Sequence, residues 1–579
     1  MQQEKDDAGL GGAQGGIEGA DGKSGRTPAG TATKARLSAL LAEVKHLFDA
    51  RFGVNIRDFL ADRQMLVWLL ALAISILVAY AAIGFRLLIG ILQVPWLGTS
   101  SENVASAASN LPFWVILAAP AIGGVLVGFL LEKYMPGRRA HGVADVIEAR
   151  ALHNSHIDPK VGFLSALLSA ISIGAGASVG REGPIVHLGA SIAAMMEDFF
   201  KLSQGARRTL LACGVAAAVS ASFNAPIAGV LFAHEVILTH YAFRALVPVV
   251  IASVTAAVIS RIHFGDATTF LIPEYSITSY WEFPAFALLG LTCAAVAIVF
   301  EVALMATDRV SWRFEMPLWV RTGLGGLMVG AIGVFFPQVL GVGYEATNEA
   351  LQRELPLILL LSLIVAKTAA TAISLASRFA GGIFSPSLYL GAMTGSAFGL
   401  IATSVFPEIG SSHGLYAILG MGAVAASVLG APLSTTLIVF ELTGGYTMTI
   451  ALLLTVSIAV GVTQAFLGHS LFYWQLGRRG LFLQEGPHKS IQRRLRVDAF
   501  MTPVDPDADP VHIEGTATPW LLATDTLERA LREFDRSGTP RIVVVSSADP
   551  TLVIGHADRL KALNLFNKAL IDAAVEEHR

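Results

Sequence analysis

The sequence predicts an all-α polytopic membrane protein of tilted and broken helices, followed by a small soluble α/β module. Three observations carry that prediction. The 579 residues are 54% hydrophobic and only 15% charged, where a soluble chain carries nearer ~25% charged residues. The charges gather towards the two ends, and the middle is a succession of apolar runs. Several runs are shorter than the ~20 residues of a full span, or are cut by Gly or Pro. Broken helices are tolerated at membrane depth only where protein or a water-filled cavity surrounds them.

In chain order, residues 1–33 are Gly/Ala-rich and poor in large apolar side chains, which predicts a disordered tail. No secretory signal peptide is recognisable there. Residues 34–63 are basic and amphipathic, with Leu37, Leu40, Leu41, Val44, Leu47 and Phe48 at helical spacing, and predict a helix on the cytoplasmic surface. The membrane domain, 64–475, holds apolar runs near 65–95, 112–131, 161–179, 184–200, 209–220, 226–239, 245–260, 283–305, 319–336, 356–376, 386–405, 415–429, 432–441 and 447–467. A basic linker, 476–496, leads to the soluble module at 497–579. There, helices are expected at Thr526–Phe534 and Asp558–Asp572. Strands are expected at Arg541–Ser546 and Thr551–Gly555, joined by an Asp549-Pro550 turn. Lys45, Arg51, Arg57 and Arg63 before the first span place the N-terminus inside. Arg478, Arg479, Lys489, Arg493, Arg494 and Arg496 after the last span place the C-terminus inside too. The expected setting is the cell (inner) membrane, with lipid as the surrounding partner.

Within the apolar middle stands Gly180-Arg181-Glu182-Gly183-Pro184. An ionisable residue at membrane depth marks, by default, a pathway for ions or protons. Pro184 suits the first turn of a helix and the glycines free the turn before it. That arrangement aims backbone N–H groups and a positive helix end at the surroundings of Glu182, which favours an anion. The structural alternative is an Arg181–Glu182 ion pair at a helix end. The two halves of the domain also match. Pro184-Ile-Val-His-Leu-Gly189-Ala190 pairs with Pro386-Ser-Leu-Tyr-Leu-Gly391-Ala392 (386 − 184 = 202). Ala225-Pro226-Ile227 with Glu235 pairs with Ala431-Pro432-Leu433 with Glu441 (431 − 225 = 206). Such matched interruptions point to a transporter site near the midplane, and leave open whether the repeats are parallel or inverted. The net charge of −3 gives no sign of a nucleic-acid partner. Cys213 and Cys293 lie in apolar runs as small packing residues, with no disulfide framework and no metal spacing.

These motifs together resemble the chloride channel and chloride/proton exchanger (CLC) family. Gly180-Arg-Glu-Gly-Pro184 is similar to its gating motif and Gly382-Ile-Phe-Ser-Pro386 to its second anion-binding motif. Phe223-Asn-Ala-Pro226 with Glu235, and Glu441-Leu-Thr-Gly-Gly-Tyr446, match two more. The resemblance covers about residues 65–470. It implies a homodimer with one pore per subunit, an inverted repeat, and transport of chloride and similar anions without a cofactor. It implies that Glu182 is the external gate, whose carboxylate occupies the site an incoming anion would take. Around it, Gly180, Arg181, Gly183, the backbone N–H groups of Ile383 and Phe384, and the Tyr446 hydroxyl would bind the anion. Amides and hydroxyls replace hydration without trapping the ion as a full charge would.

The chain departs from the family pattern twice. His141, in Ala140-His141-Gly142-Val143-Ala144, stands where most members carry an anion-contacting Ser. An imidazole could donate to an anion, or His141 faces the cytoplasmic mouth and only its backbone matters. Val236 stands where many exchangers carry an internal proton-transferring Glu. That argues for channel-like or weakly proton-coupled chloride transport. The alternative is a chloride/proton antiporter in which Glu182 works with a non-standard internal path through Glu235, His234 or water; Glu235 can equally be structural. His187, just beyond the gate, reads as a packing residue. A fluoride exporter fits less well because Pro184 follows Glu-Gly unaltered. An intramembrane enzyme has no nucleophile, metal cluster or cofactor motif to support it. The tail resembles a CBS module, opening at Val497-Asp-Ala-Phe-Met-Thr502 and closing at Gly555-His-Ala-Asp558. It has room for one module where such modules work in pairs, so nucleotide binding is not expected.

Overall fold

The structure, a computed structural model, describes residues 63–152, 155–265, 270, 277–352, 354–408, 410–443, 446–481, 488, 491–493, 495–504, 512 and 519–578. The expected tail at 1–33 and nearly all of the helix at 34–63 lie outside the described residues. The first half carries α1 (Gln64–Leu97), α2 (Val104–Ser109), α3 (Phe113–Tyr134), α4 (Val143–Leu152), α5 (Pro159–Gly174), α6 (Glu182–Phe200), α7 (Gln204–Phe223), α8 (Pro226–Phe232) and α9 (Phe243–Phe264). The second carries α10 (Phe283–Ser311), α11 (Leu318–Phe335), α12 (Tyr344–Gln352), α13 (Leu357–Ala376), α14 (Phe384–Val405), α15 (His413–Leu429), α16 (Pro432–Thr443), α17 (Tyr446–Leu467) and α18 (Leu471–Gly477). Among the described residues, eight helical stretches are long and apolar enough to cross a membrane, and shorter apolar helices such as α5, α15 and α16 lie between them. This is an all-α polytopic membrane fold.

At the repeat motifs the helix boundaries differ from the sequence expectation. The apolar runs expected from 184 and 386 begin two residues earlier, as α6 at Glu182 and α14 at Phe384. Pro184 and Pro386 then occupy the first turn, where a missing N–H removes no helical hydrogen bond. The run expected at 226–239 is α8 followed by a wider π-helical turn, Ala233–Leu238.

The halves form an inverted repeat, and reciprocal contacts tie them together. Gly180 and Gly382 pair as an antiparallel bridge, each N–H donating to the other's carbonyl at 2.7 Å. The N–H groups of Leu433 and Ser434, opening α16, donate to the Glu235 carboxylate at 3.0 and 2.8 Å. The N–H groups of Ile227 and Ala228, opening α8, donate to Glu441 at 2.9 and 2.7 Å. Each half thus caps a helix of the other with a carboxylate, a favourable charge at a positive helix end. The glycines of the repeat serve close crossings. A Cβ on Gly189 would lie 2.4 Å from the Gly214 carbonyl oxygen, and one on Gly391 would lie 2.3 Å from that of Gly420. The α6/α7 and α14/α15 pairs therefore cross at backbone contact, as small residues allow in membranes. A third match appears in the loops before α4 and α12: Pro136 to Gly142 mirrors Pro337 to Gly343 (343 − 142 = 201).

The soluble module is a four-stranded sheet with β1 (Met501–Pro503), β2 (Trp520–Leu522), β3 (Arg541–Val545) and β4 (Val553–Asp558) in the order β1-β4-β3-β2. The β2/β3 pair is parallel and the others are antiparallel. Helices α19 (Leu527–Ser537) and α20 (Arg559–His578) complete it. Thr526 caps α19 by accepting from the Arg529 N–H. Leu521, Leu527, Phe534, Ile542 and Val544 form a core separate from that of the membrane domain. The expected strand at Thr551–Gly555 starts at Val553 and runs on to Asp558.

Candidate functional site

The Gly180–Gly382 bridge sets two helix N-termini side by side, because α6 and α14 begin two residues after the paired glycines. The first-turn N–H groups of a helix have no intrahelical acceptor. Two positive helix ends therefore converge at Glu182, the first residue of α6.

Glu182 is 2% exposed. Its Oε1 accepts from the Tyr344 hydroxyl at 2.6 Å and from the Ser385 hydroxyl at 2.5 Å. Oε2 is buried and has no hydrogen-bond partner among the described residues. It lies 2.8 Å from where a Cβ on Gly180 would stand, so a side chain there would push the carboxylate aside. Arg181 turns away. Its Nε is 4.0 Å from Glu182, while its guanidinium bonds Glu102 at 2.8 Å and lies 4.7 Å from the Tyr344 ring centroid. Arg86 joins Glu102 at 2.9 Å. Burial raises the Glu102 pKa, but Arg181 and Arg86 more than offset it, and the carboxyl is held below the usual range. The Arg181–Glu182 pairing is thus the weaker arm of a four-residue charge chain.

Three cavities lie along this part of the fold, and the Glu182 side chain lines one of them. One of about 60 Å³ is lined by Glu182, Gly183, Ile383 and Phe384, with Phe223 and Phe232 as an aromatic wall. Phe223 and Phe384 stand 4.9 Å apart by ring centroid. Its volume exceeds the ~10–15 Å³ one water needs, so a single small anion fits. A second cavity, about 430 Å³, is bordered by Arg181, Glu102 and Tyr344, the last of which donates to Glu182. A third, about 420 Å³, shares Gly142, Gly381 and Gln475 with the small cavity and is strongly basic, with Arg139, Arg378, Arg478 and Arg479 in its wall.

The expected site residues fall unevenly around these spaces. Glu182, Gly183, Ile383 and Phe384 meet at the small cavity. Gly180 shapes it from behind, and Arg181 borders the second cavity. His141 lines the basic vestibule, one residue short of the small cavity. Its N–H donates to Ser165 Oγ at 3.1 Å and its ring meets His187 edge-on, centroids 5.3 Å apart. Burial, then Arg139 and Arg479, lower the His141 pKa against the opposing pull of Asp145. Asp145 itself is held far below the carboxylate range: Arg139 and Arg479 outweigh the effect of burial. Tyr446 opens α17, and its side chain lies outside the described residues. Both oxygens of Glu235 cap α16, and the adjoining Val236 is buried.

Sequence reasoning missed Tyr344, Ser385 and Lys367. Lys367 is fully buried in α13 and donates to the carbonyls of Val339 and Gly341 at 3.0 Å and of Val342 at 3.4 Å. It pins the loop that delivers Tyr344. Its repeat mate is Ser165 (367 − 165 = 202), which holds the His141 loop in the first half. The signal was present as a lysine inside an otherwise apolar run.

A family described as "Voltage gated chloride channel" matches residues 123–464. A ClcB-like protein of Ralstonia nicotianae is 33% identical over 386 residues, 65% of this chain and 88% of that one. Among solved structures, a slow cyanobacterial Cl⁻/H⁺ antiporter superposes with a TM-score of 0.65 at 23% identity, covering 72% of this chain and 98% of that one. A CLC-type fluoride/proton antiporter superposes with a TM-score of 0.56 at 23% identity, covering 69% and 96%. At that identity the superpositions speak for the fold alone.

Proposed function

The chain belongs to the voltage-gated chloride channel family of anion transport proteins, which are not enzymes, and from that premise we propose that it passes chloride through the three cavities with Glu182 as the gate. The observation that carries this reading is the Glu182 carboxylate. It is buried at two converging helix N-termini, lines the small cavity, and accepts a hydrogen bond from Tyr344, which borders the second cavity. It is an anion held where anions are favoured. In the closed arrangement Tyr344 and Ser385 hold it. Protonation, or displacement by chloride, frees Oε1 from those donors and opens the path. The N–H groups of Ile383 and Phe384, the walls formed by Gly180 and Gly183, and the Tyr446 hydroxyl serve the central anion. Arg181 braces the gate through Glu102 and attracts anions from its flank, and His141 stands at the cytoplasmic mouth. The basic vestibule faces the cytoplasm with both termini, and two chains form a homodimer in the cell membrane. The soluble module supports assembly and binds no nucleotide.

Coupling to protons is weak in this reading. Val236 carries no proton, and both oxygens of Glu235 are engaged as a helix cap. One observation favours a second reading, a chloride/proton antiporter with an unusual internal path. His141 in the vestibule touches His187 in α6, whose Nδ1 is buried without a partner among the described residues. The deciding experiment is chloride efflux from proteoliposomes, with the reversal potential measured at two proton gradients. The main reading expects anion flux that rises on external acidification, a flux in Glu182→Gln that no longer responds to external pH, and a reversal potential near that of chloride. Unchanged pH dependence in Glu182→Gln removes the gate role. A reversal potential that follows the proton gradient, and loses that dependence in His187→Phe, selects the second reading.

A further inference from the structure

The two halves end α5 and α13 with the same cap. In the first, the Gly176 N–H donates to the Ile173 carbonyl at 3.0 Å and the Ala177 N–H to that of Ser172 at 2.9 Å. In the second, the Arg378 N–H donates to the Leu375 carbonyl at 3.0 Å and the Phe379 N–H to that of Ser374 at 3.0 Å. Gly176 and Arg378 are repeat mates (378 − 176 = 202). Both sit in the left-handed region, with φ of 94° and 74°. Glycine is the residue this cap selects, since a Cβ is crowded by the backbone in the left-handed region. The second half therefore holds an arginine against the preference of its own backbone. Strain of that kind gathers at functional sites.

What the arginine adds is a guanidinium in the basic vestibule. Of the four arginines in that wall, three have carboxylate partners. Arg139 bonds Asp145 at 2.5 Å, Arg478 bonds Asp308 at 2.9 Å, and Arg479 bonds Asp145 at 2.9 Å and Glu148 at 2.8 Å. Among the described residues, no carboxylate lies within ion-pair distance of Arg378. Its contact is with the Trp312 ring, 5.2 Å to the centroid. Four arginines against Asp145, Asp308 and the adjoining Glu148 leave one positive charge in excess at this wall. Burial and repulsion by Arg139, Arg478 and Arg479 lower the Arg378 pKa, while Asp308 opposes them. A bound anion would relieve that repulsion.

We propose that Arg378 makes this vestibule a binding site for a polyatomic oxyanion of the phosphate class, which lodges there and blocks chloride. The guanidinium fork matches two oxygens of such an anion at once, a geometry that spherical chloride does not use. The vestibule of about 420 Å³ admits phosphate, and the cavity of about 60 Å³ beyond Gly142 and Gly381 stops it from following chloride inward.

The inhibition readout rests on chloride transport; a binding readout does not. Inorganic phosphate is titrated into purified full-length protein by calorimetry, and chloride efflux from proteoliposomes is measured with phosphate on both faces at constant ionic strength. Wild type is expected to bind phosphate saturably and to lose flux as it binds. Arg378→Gly, which restores the residue of the sibling half and suits the backbone, is expected to raise both the dissociation constant and the inhibition constant at least tenfold. Equal phosphate affinity in wild type and Arg378→Gly overturns the proposal, as does the absence of saturable binding. Saturable, Arg378-dependent binding in a protein that passes no chloride keeps the site and removes the transport reading instead.

Discussion

Replacing Tyr344 by Phe removes one hydroxyl and little else. The ring keeps its contact with the Arg181 guanidinium at 4.7 Å and its edge contact with Phe270 at 5.3 Å. The lost atom is the one that donates to Glu182 Oε1 at 2.6 Å. A hydrogen bond to a charged group contributes ~1.5–3 kcal/mol. If that bond exists only while the carboxylate sits in the site, its loss shifts the closed-to-open equilibrium by about 10- to 150-fold, at ~1.4 kcal/mol per decade. Ser385 still donates at 2.5 Å, so the lower part of that range is expected. Chloride efflux from proteoliposomes at neutral pH should rise towards the level wild type reaches in acid, and should level off once most gates are open. In a Glu182→Gln background the same change should alter flux no more than a few-fold, because a neutral amide gains only ~0.5–1.5 kcal/mol from the hydroxyl. The cycle of four variants isolates the Tyr344–Glu182 term. Wild-type flux in Tyr344→Phe would refute the latch. An equal gain in both backgrounds would show that Tyr344 acts on the pore wall and not on the gate.

Three further outcomes follow from the same geometry. The lowered pKa of His141 keeps the ring neutral at pH 7 and charges it only on acidification below the ordinary ~6.5. Current should therefore respond to acid on the vestibule side in wild type and not in His141→Ser, and superimposable curves would reduce His141 to a spacer. Lys367→Met leaves buried carbonyls of Val339, Gly341 and Val342 without their donor, at ~1–3 kcal/mol for an unsatisfied group. The melting temperature should fall and the neutral-pH flux should rise as in Tyr344→Phe; a fall in stability with a wild-type pH profile would make Lys367 structural only. Glu235→Gln weakens the α16 cap by ~0.5–2 kcal/mol and should lower thermal stability while leaving the proton-to-chloride ratio unchanged. A lower ratio would place Glu235 on the proton path.

The sequence alone determined the membrane class, the duplicated unit and the charged pentapeptide at its centre. Apolar runs and helix-breaking motifs are local, and the physics of lipid leaves few structures that satisfy them. Matched interruptions 202 and 206 residues apart were enough to find the repeat and Glu182. Only the tertiary structure decided what surrounds Glu182. Tyr344 lies 162 residues away in sequence and Ser385 lies 203 away, and no periodicity links them to a carboxylate. The direction of the repeat was equally hidden, because two copies read alike along the chain whether parallel or inverted; the antiparallel Gly180–Gly382 bridge and the exchanged Glu235 and Glu441 caps are contacts between halves. Arg378 shows the limit most plainly. In the sequence it is one basic residue after an apolar run. Its left-handed backbone, its pairing with a glycine of the other half and its place beside Trp312 exist only once the chain has folded.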